Sequence, residues 1–288
     1  MSCSGPDSLK ASRETHRNNL LRGNQSSPAQ LILTQLHTPL QRHPHLCVLY
    51  RTRTNPILSI MAPLKFTTVN HSNVDLLTLI AAPGGDIVGH PAMADVPIAF
   101  QFASPVTKVS MPAGRFKSAR VTVTWPVESI LDWDQAGLLF VRPLPGLPEP
   151  SKENAGTSAT TPPFAKIGLE ACFGSTFYTV SACTDRAPDW NTWPLSPDFH
   201  EHHKATIEMV RHGDGLITLL VEGEEGKEKK SVVRLVPWAF TDVKQDEPDI
   251  WVGIYASRPD FKHEAKQPLT VSFSDLVIET QNEGTLKL

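Results

Sequence analysis

FAKIGLEACFGSTFYTVSACT, residues 164–184, is the stretch on which the fold turns. Two runs with a period of two flank Gly174-Ser175, a two-residue loop with glycine first that suits a type II′ hairpin turn. That turn pairs Phe173 with Thr176, Ala171 with Tyr178, Leu169 with Val180 and Ile167 with Ala182, which puts a nearly all-apolar set on one face. That face is core. The other carries Lys166, Gly168, Glu170 and Cys172 beside Cys183, Ser181, Thr179 and Phe177.

The same alternation recurs outward in both directions. In SARVTVTW, Ser118 to Trp125, apolar Ala119, Val121, Val123 and Trp125 alternate with Arg120, Thr122 and Thr124, as in a half-buried strand. Further strands are expected at Ala136 to Arg142, Lys204 to Arg211, Gly215 to Glu222, Ser231 to Pro237, Ile250 to Ala256 and Leu269 to Glu279. Turn-forming clusters separate them, with 25 Pro and 17 Gly in 288 residues, and sustained helical periodicity is absent. One large all-β sandwich over residues 62–280 follows, with 281–288 as a tail.

Charge divides the chain. Residues 1–60 hold seven Lys and Arg against two acids, a net of +5, which leaves −8 over the remainder. An acidic domain is poorly suited to neutralising phosphates, so nucleic acid is not an expected partner. No apolar run reaches the roughly 18 residues that span a bilayer, and no secretory signal pattern opens the chain. The expected compartment is cytoplasmic. Residues 1–61 read as a disordered or spurious leader, with Met61 as an alternative start. Their Arg-rich, acid-poor composition leaves a mitochondrial presequence open, although Pro28, Pro39, Pro44 and Pro56 interrupt any long helix.

Four motifs fall in a recognisable order: Asp132-Trp133-Asp134-Gln135-Ala136-Gly137-Leu138, Lys166-Ile167-Gly168-Leu169-Glu170, Asp189-Trp190-Asn191, and Trp251-Val252-Gly253-Ile254-Tyr255-Ala256-Ser257-Arg258-Pro259. In this order the chain resembles the regulation-of-enolase family of fungal and bacterial proteins. The resemblance implies a concanavalin A-like jelly-roll sandwich of two antiparallel sheets, a fold shared with lectins, glucanases and the C-terminal modules of some xylosidases. It also implies a metabolic enzyme such as enolase as a candidate partner. The chain departs from the compact pattern by inserting Pro143 to Pro163, which reads as a Pro-rich surface loop.

Candidate ligand-binding residues are Asp134, Gln135, Lys166, Glu170, Trp190, Trp251 and Tyr255. Lys166 and Glu170 share the polar face of one strand, where the alternative is a solvated ion pair. Trp251 and Tyr255 alternate with Val252 and Ile254, so with the aliphatics inward the two rings flank Gly253 as an open platform for a sugar face. Packing beneath a loop is the alternative. Asp132 and Asp134 could share a face, but the carboxylate string that retaining glycanases carry on one strand is missing. His200, His202 and His203 offer imidazoles without a distant fourth ligand, and Cys3, Cys47, Cys172 and Cys183 lack zinc-site spacing, so neither metal nor cofactor is expected. Three functions remain in contention. The first is a non-catalytic binding module for a carbohydrate or small polar metabolite. The second is a regulator docking on a metabolic enzyme such as enolase. The third is a glycan hydrolase or lyase using Glu170, Asp134 and Lys166.

Overall fold

A computed structural model describes residues 64–71, 76–88, 101–157, 159–184, 188–224, 226–241, 249–281 and 284–288. The reading of residues 1–61 as a leader lies outside the described residues. In chain order the strands are β1 (Phe66–Val69), β2 (Thr78–Ala81), β3 (Ile87–Val88), β4 (Gln101–Phe102), β5 (Val106–Pro112), β6 (Phe116–Thr124), β7 (Gln135–Val141), β8 (Phe164–Cys172), β9 (Ser175–Cys183) and β10 (Asp189–Trp193). A short helix, α1 (Pro197–His202), precedes β11 (Lys204–His212), β12 (Gly215–Glu222), β13 (Lys229–Val236), β14 (Asp249–Ser257), β15 (Leu269–Thr280) and β16 (Gly284–Lys287).

These strands build a concanavalin A-like sandwich of two large antiparallel sheets. The first sheet runs β1-β5-β14-β7-β8-β9-β10, the second β13-β12-β11-β6-β15-β16 with β2 also paired to β15. Between them lies one core drawn from the alternating positions of both sheets: Val121 and Val123 of β6 and Ile207 of β11 face Leu138 and Phe140 of β7, Ile167 and Leu169 of β8, and Val252 and Ile254 of β14. Each such side chain contributes about 1.5–3 kcal/mol by leaving water. Among the described residues, no helix is long and apolar enough to cross a membrane.

The central hairpin differs from expectation in one respect. Cys172 pairs with Ser175, Ala171 with Thr176, Leu169 with Tyr178 and Ile167 with Val180, so the turn is Phe173-Gly174 rather than Gly174-Ser175. Both turn residues have positive φ, 53° and 74°, as a type I′ turn requires and a type II′ turn does not. The pairing slips by two, an even number, so every side chain keeps its predicted face.

The outer face of the first sheet can be read row by row from its register. One row runs Ser257, Gln135, Glu170, Phe177; the next Tyr255, Gly137, Gly168, Thr179, Thr192; the next Lys108, Gly253, Leu139, Lys166, Ser181, Trp190. Residues from all four sequence motifs therefore meet on or beside one face.

Candidate functional site

Lys166 and Glu170 stand on either side of Gly168 on that face, but neither is solvated: they are 4% and 3% exposed. The alternative reading, a solvated ion pair with neighbours, is replaced by buried partners. The Lys166 ammonium donates to Oδ1 of Asp86 at 2.8 Å, and the same oxygen accepts the Ile87 backbone N–H at 2.7 Å. Glu170 is held separately. Its Oε1 accepts from Gln135 Nε2 at 3.1 Å, its Oε2 accepts from the Trp190 indole N–H at 2.7 Å, and the Thr179 hydroxyl adds a further bond. Burial still outweighs these partners and the nearby Lys166 charge, so the Glu170 carboxyl sits above its ordinary pKa.

Trp251 and Tyr255 point away from the main core, as their alternation predicts, yet they make no open platform. Each is 1% exposed, within a second apolar cluster that includes Ile87, Phe102, Val106, Val141 and Phe164. The covering comes from two segments. Phe102 of β4 meets Trp251 edge-on at 5.8 Å, and the Pro-rich insertion packs Ala155 against the cluster. Lys108 lies 3.9 Å over the Trp251 ring and pairs with Glu149 of that insertion at 3.4 Å, while burial lowers the lysine's pKa. The insertion is therefore folded down onto the sheet.

Asp134 is wholly buried and engaged by Arg258, whose Nε donates to Oδ1 at 2.9 Å and whose Nη2 donates to Oδ2 at 2.6 Å. That carboxylate also accepts the Leu131 N–H at 2.9 Å. The remaining guanidinium donors reach the carbonyls of Ser129 and Gln267, both at 2.6 Å. One arginine thus fixes the segment before β7 to the segment after β14. Asp134 is positioned for architecture, with no free oxygen left to carry the catalytic role considered for it.

Trp190 alone among the seven expected residues is exposed, at 37%, and it does not stand by itself. Trp133 lies 6.2 Å from it, and Phe173 and Phe261 lie 5.7 and 6.4 Å from Trp133, all between ring centroids. Phe173 and Phe261 are exposed. These four rings form an aromatic surface at the end of the first sheet, directly joined to the polar cluster through Trp190 and Glu170. Local backbone presents them. Trp133 has φ of 76° in a turn closed by Asp134 N–H to Leu131 C=O at 3.1 Å, and Phe173 has φ of 53° in the hairpin turn. A bulky residue in that region is strained, and strain of this kind concentrates where a side chain is held out for use.

Asp86, Phe173, Phe261 and Arg258 were not among the expected site residues. Asp86 follows Pro83-Gly84-Gly85 and Phe261 follows Pro259-Asp260, so both read locally as turn composition. The alternation makes Phe173 the last residue of its strand, and only the register reveals it as a turn residue. His200, His202 and His203 lie in and just after α1, not in a loop. His202 bonds the Asp198 carbonyl at 3.2 Å, and His200 and His203 pack edge-on against Phe199.

Fold and surface together define a two-sheet antiparallel sandwich bearing an exposed aromatic platform anchored on a buried carboxylate. The chain belongs to the family described as "Protein of unknown function (DUF1349)", whose pattern matches residues 68–281. It is 32% identical to the uncharacterized protein AN7484 of Emericella nidulans over 211 residues, 72% of this chain and 88% of that one. The crystal structure of a functionally unknown protein from Saccharomyces cerevisiae is similar in fold, with TM-score 0.53 and 18% identity over 75% of this chain and 96% of that one. Basic winged bean lectin, solved with Tn-antigen, aligns at TM-score 0.36 and 13% identity over 73% of this chain and 98% of that one.

Proposed function

We propose that this protein is a non-catalytic carbohydrate-binding module whose contact surface is the Trp133, Phe173, Trp190 and Phe261 platform. The observation that carries this reading is the hydrogen bond from the Trp190 indole to Glu170, which holds an exposed ring in one orientation beside the half-buried Trp133, itself flanked by exposed Phe173 and Phe261. Rigid aromatic faces cover the apolar C–H faces of sugar rings with little loss of side-chain entropy. Gln135, Thr179 and Glu170 then act as positioning residues, because their burial keeps them out of direct contact. The buried Lys166–Asp86 pair lies on the same face.

A glycan array probed with the full chain tests the reading, alongside Phe173→Gly and Phe261→Ser. Both positions are exposed, and glycine suits the positive φ at Phe173, so these variants fold. Saturable binding that falls about tenfold or more in the variants is expected, since a stacked ring is worth roughly 0.5–1.5 kcal/mol beyond its area. A blank array together with capture of enolase would replace this reading with the docking role that the family resemblance implies.

A further inference from the structure

A cleft of about 460 Å³ lies beside the platform rather than on it. That volume falls within the roughly 300–1,000 Å³ typical of small-molecule sites. Its walls include Trp125, Asp132, Ser175, Thr176, His200 and His203. A smaller depression of about 160 Å³ on the platform side holds Trp133 and Phe261, and Ile130, Leu131 and Asp132 border both. The hairpin turn bridges them in the same way: Phe173 belongs to the platform, while Gly174 and Ser175 line the cleft. Asp132 ties the two sides together, its Oδ1 accepting the Gly174 N–H at 3.3 Å.

Resting on the carbohydrate reading above, we infer that the binding path continues from the platform across Asp132 into this cleft, so that the ligand is an oligosaccharide rather than a single sugar. The chemistry of the walls favours it. Asp132 can only accept, Ser175 and Thr176 can donate and accept, and each imidazole can do either according to its tautomer. Sugar hydroxyls, each both donor and acceptor, match such a mixture. An anion would meet the Asp132 carboxylate, and a hydrocarbon would leave the polar groups unpaired.

Trp125 supplies an independent observation. Its side chain is 3% exposed, and its Nε1 is buried without a hydrogen-bond partner among the described residues. Its backbone is fixed, since the Trp125 N–H donates to the His203 carbonyl at 2.8 Å at the end of α1. Trp125 lines the cleft, and a buried donor without a partner carries a cost that pairing with a ligand hydroxyl removes.

The test is a length-graded array carrying gluco-, galacto-, manno- and xylo-configured glycans from monosaccharides to longer oligosaccharides. Affinity is expected to rise about tenfold or more with length. Ser175→Arg, which fills the cleft from the exposed first position of β9, and His200→Ala should remove that gain while leaving monosaccharide binding intact. The Trp125 indole N–H resonance should move with oligosaccharides and stay still with monosaccharides. Affinity independent of length, or a gain that survives Ser175→Arg, overturns the extended path and leaves the platform reading standing. No binding to any glycan overturns both.

Discussion

Arg258 grips both carboxylate oxygens of Asp134 although 124 residues separate them in the chain. The pair joins the first and last of the four sequence motifs, and the Glu170 to Trp190 bond joins the second and third. Gln135, bonded to Glu170, closes the link between the two halves. The motif residues are therefore parts of one structural device. Its hidden half consists of charge pairs and hydrogen bonds at the end of the first sheet, and its visible half is the set of aromatic rings those bonds hold in place.

Breaking the Arg258–Asp134 pair from one side should be more damaging than replacing both members. Both side chains are essentially sealed from solvent, so Arg258→Met leaves an uncompensated buried carboxylate, and Asp134→Leu leaves an uncompensated guanidinium. Each single change is expected to cost about 3–5 kcal/mol. The double change should recover part of that loss, although the carbonyls of Ser129 and Gln267 remain without their donor. Urea unfolding of the four proteins measures the coupling. Additive losses would mean that the pair is not a unit. Arg258→Lys should fare little better than Met, because an ammonium cannot make the bidentate grip and reach two carbonyls as well.

Glu170 gives a pH-dependent signature with a definite sign. Burial raises its folded pKa above the reference value of 4.5, despite Lys166, Trp190 and Thr179. A carboxyl with a raised folded pKa weakens the fold when ionised. That penalty is full above the folded pKa, fades as pH falls through it, and vanishes below the unfolded value. Glu170→Gln keeps an acceptor for Trp190 and has no charge to titrate. Wild-type stability relative to Glu170→Gln should therefore rise as pH is lowered from neutral to 4.5, while the other carboxyls cancel in the difference. Paired urea titrations across that range check it; a flat or falling difference would show that the partners, not burial, dominate at Glu170.

Nine of the strands were legible because a two-residue period is a local signal, and they include most of those at the centre of both sheets; the exception is β5, interior to the first sheet, whose buried Thr107 and Lys108 interrupt the apolar pattern. β1 to β4 and β16 are four residues or fewer, too short for a period to show, and β10 reads as a Trp- and Asn-rich loop. The site was legible in part. Side-chain alternation gives the face on which Lys166, Glu170, Trp251 and Tyr255 lie, but it does not say what lies above that face. Their burial depends on Ile87, Phe102 and Ala155, which arrive from segments distant in sequence. Asp86 lies 80 residues from Lys166, and nothing near Pro83-Gly84-Gly85 marks it as that lysine's partner. Whether Trp190 faces inward could not be read from the sequence; it is exposed on β10, the edge strand of the first sheet.

The glycines of the sheet should separate two physical effects that a Gly→Ala change usually mixes. Gly137 of β7 and Gly168 of β8 are opposite each other, and a Cβ added at either would lie 2.1 Å from a carbonyl oxygen of the facing strand, Ile167 or Ala136. Gly253 of β14 is similar, with the Thr107 oxygen at 2.0 Å. Neither atom can withdraw without parting the ladder, because both belong to backbone. Gly168→Ala is therefore expected to lose about 3 kcal/mol or more, at the upper end for overpacking. It should also disturb Lys166 and Glu170 on either side and weaken whatever binds at the platform. Gly146 of the Pro-rich insertion is the control: its φ is 78°, but open space surrounds the position of a Cβ. Gly146→Ala meets only the conformational penalty, about 1–2 kcal/mol. Chemical denaturation of the two variants decides the matter, and a loss at Gly168 no larger than that at Gly146 would mean that the facing strand accommodates the added Cβ and close approach does not require glycine there.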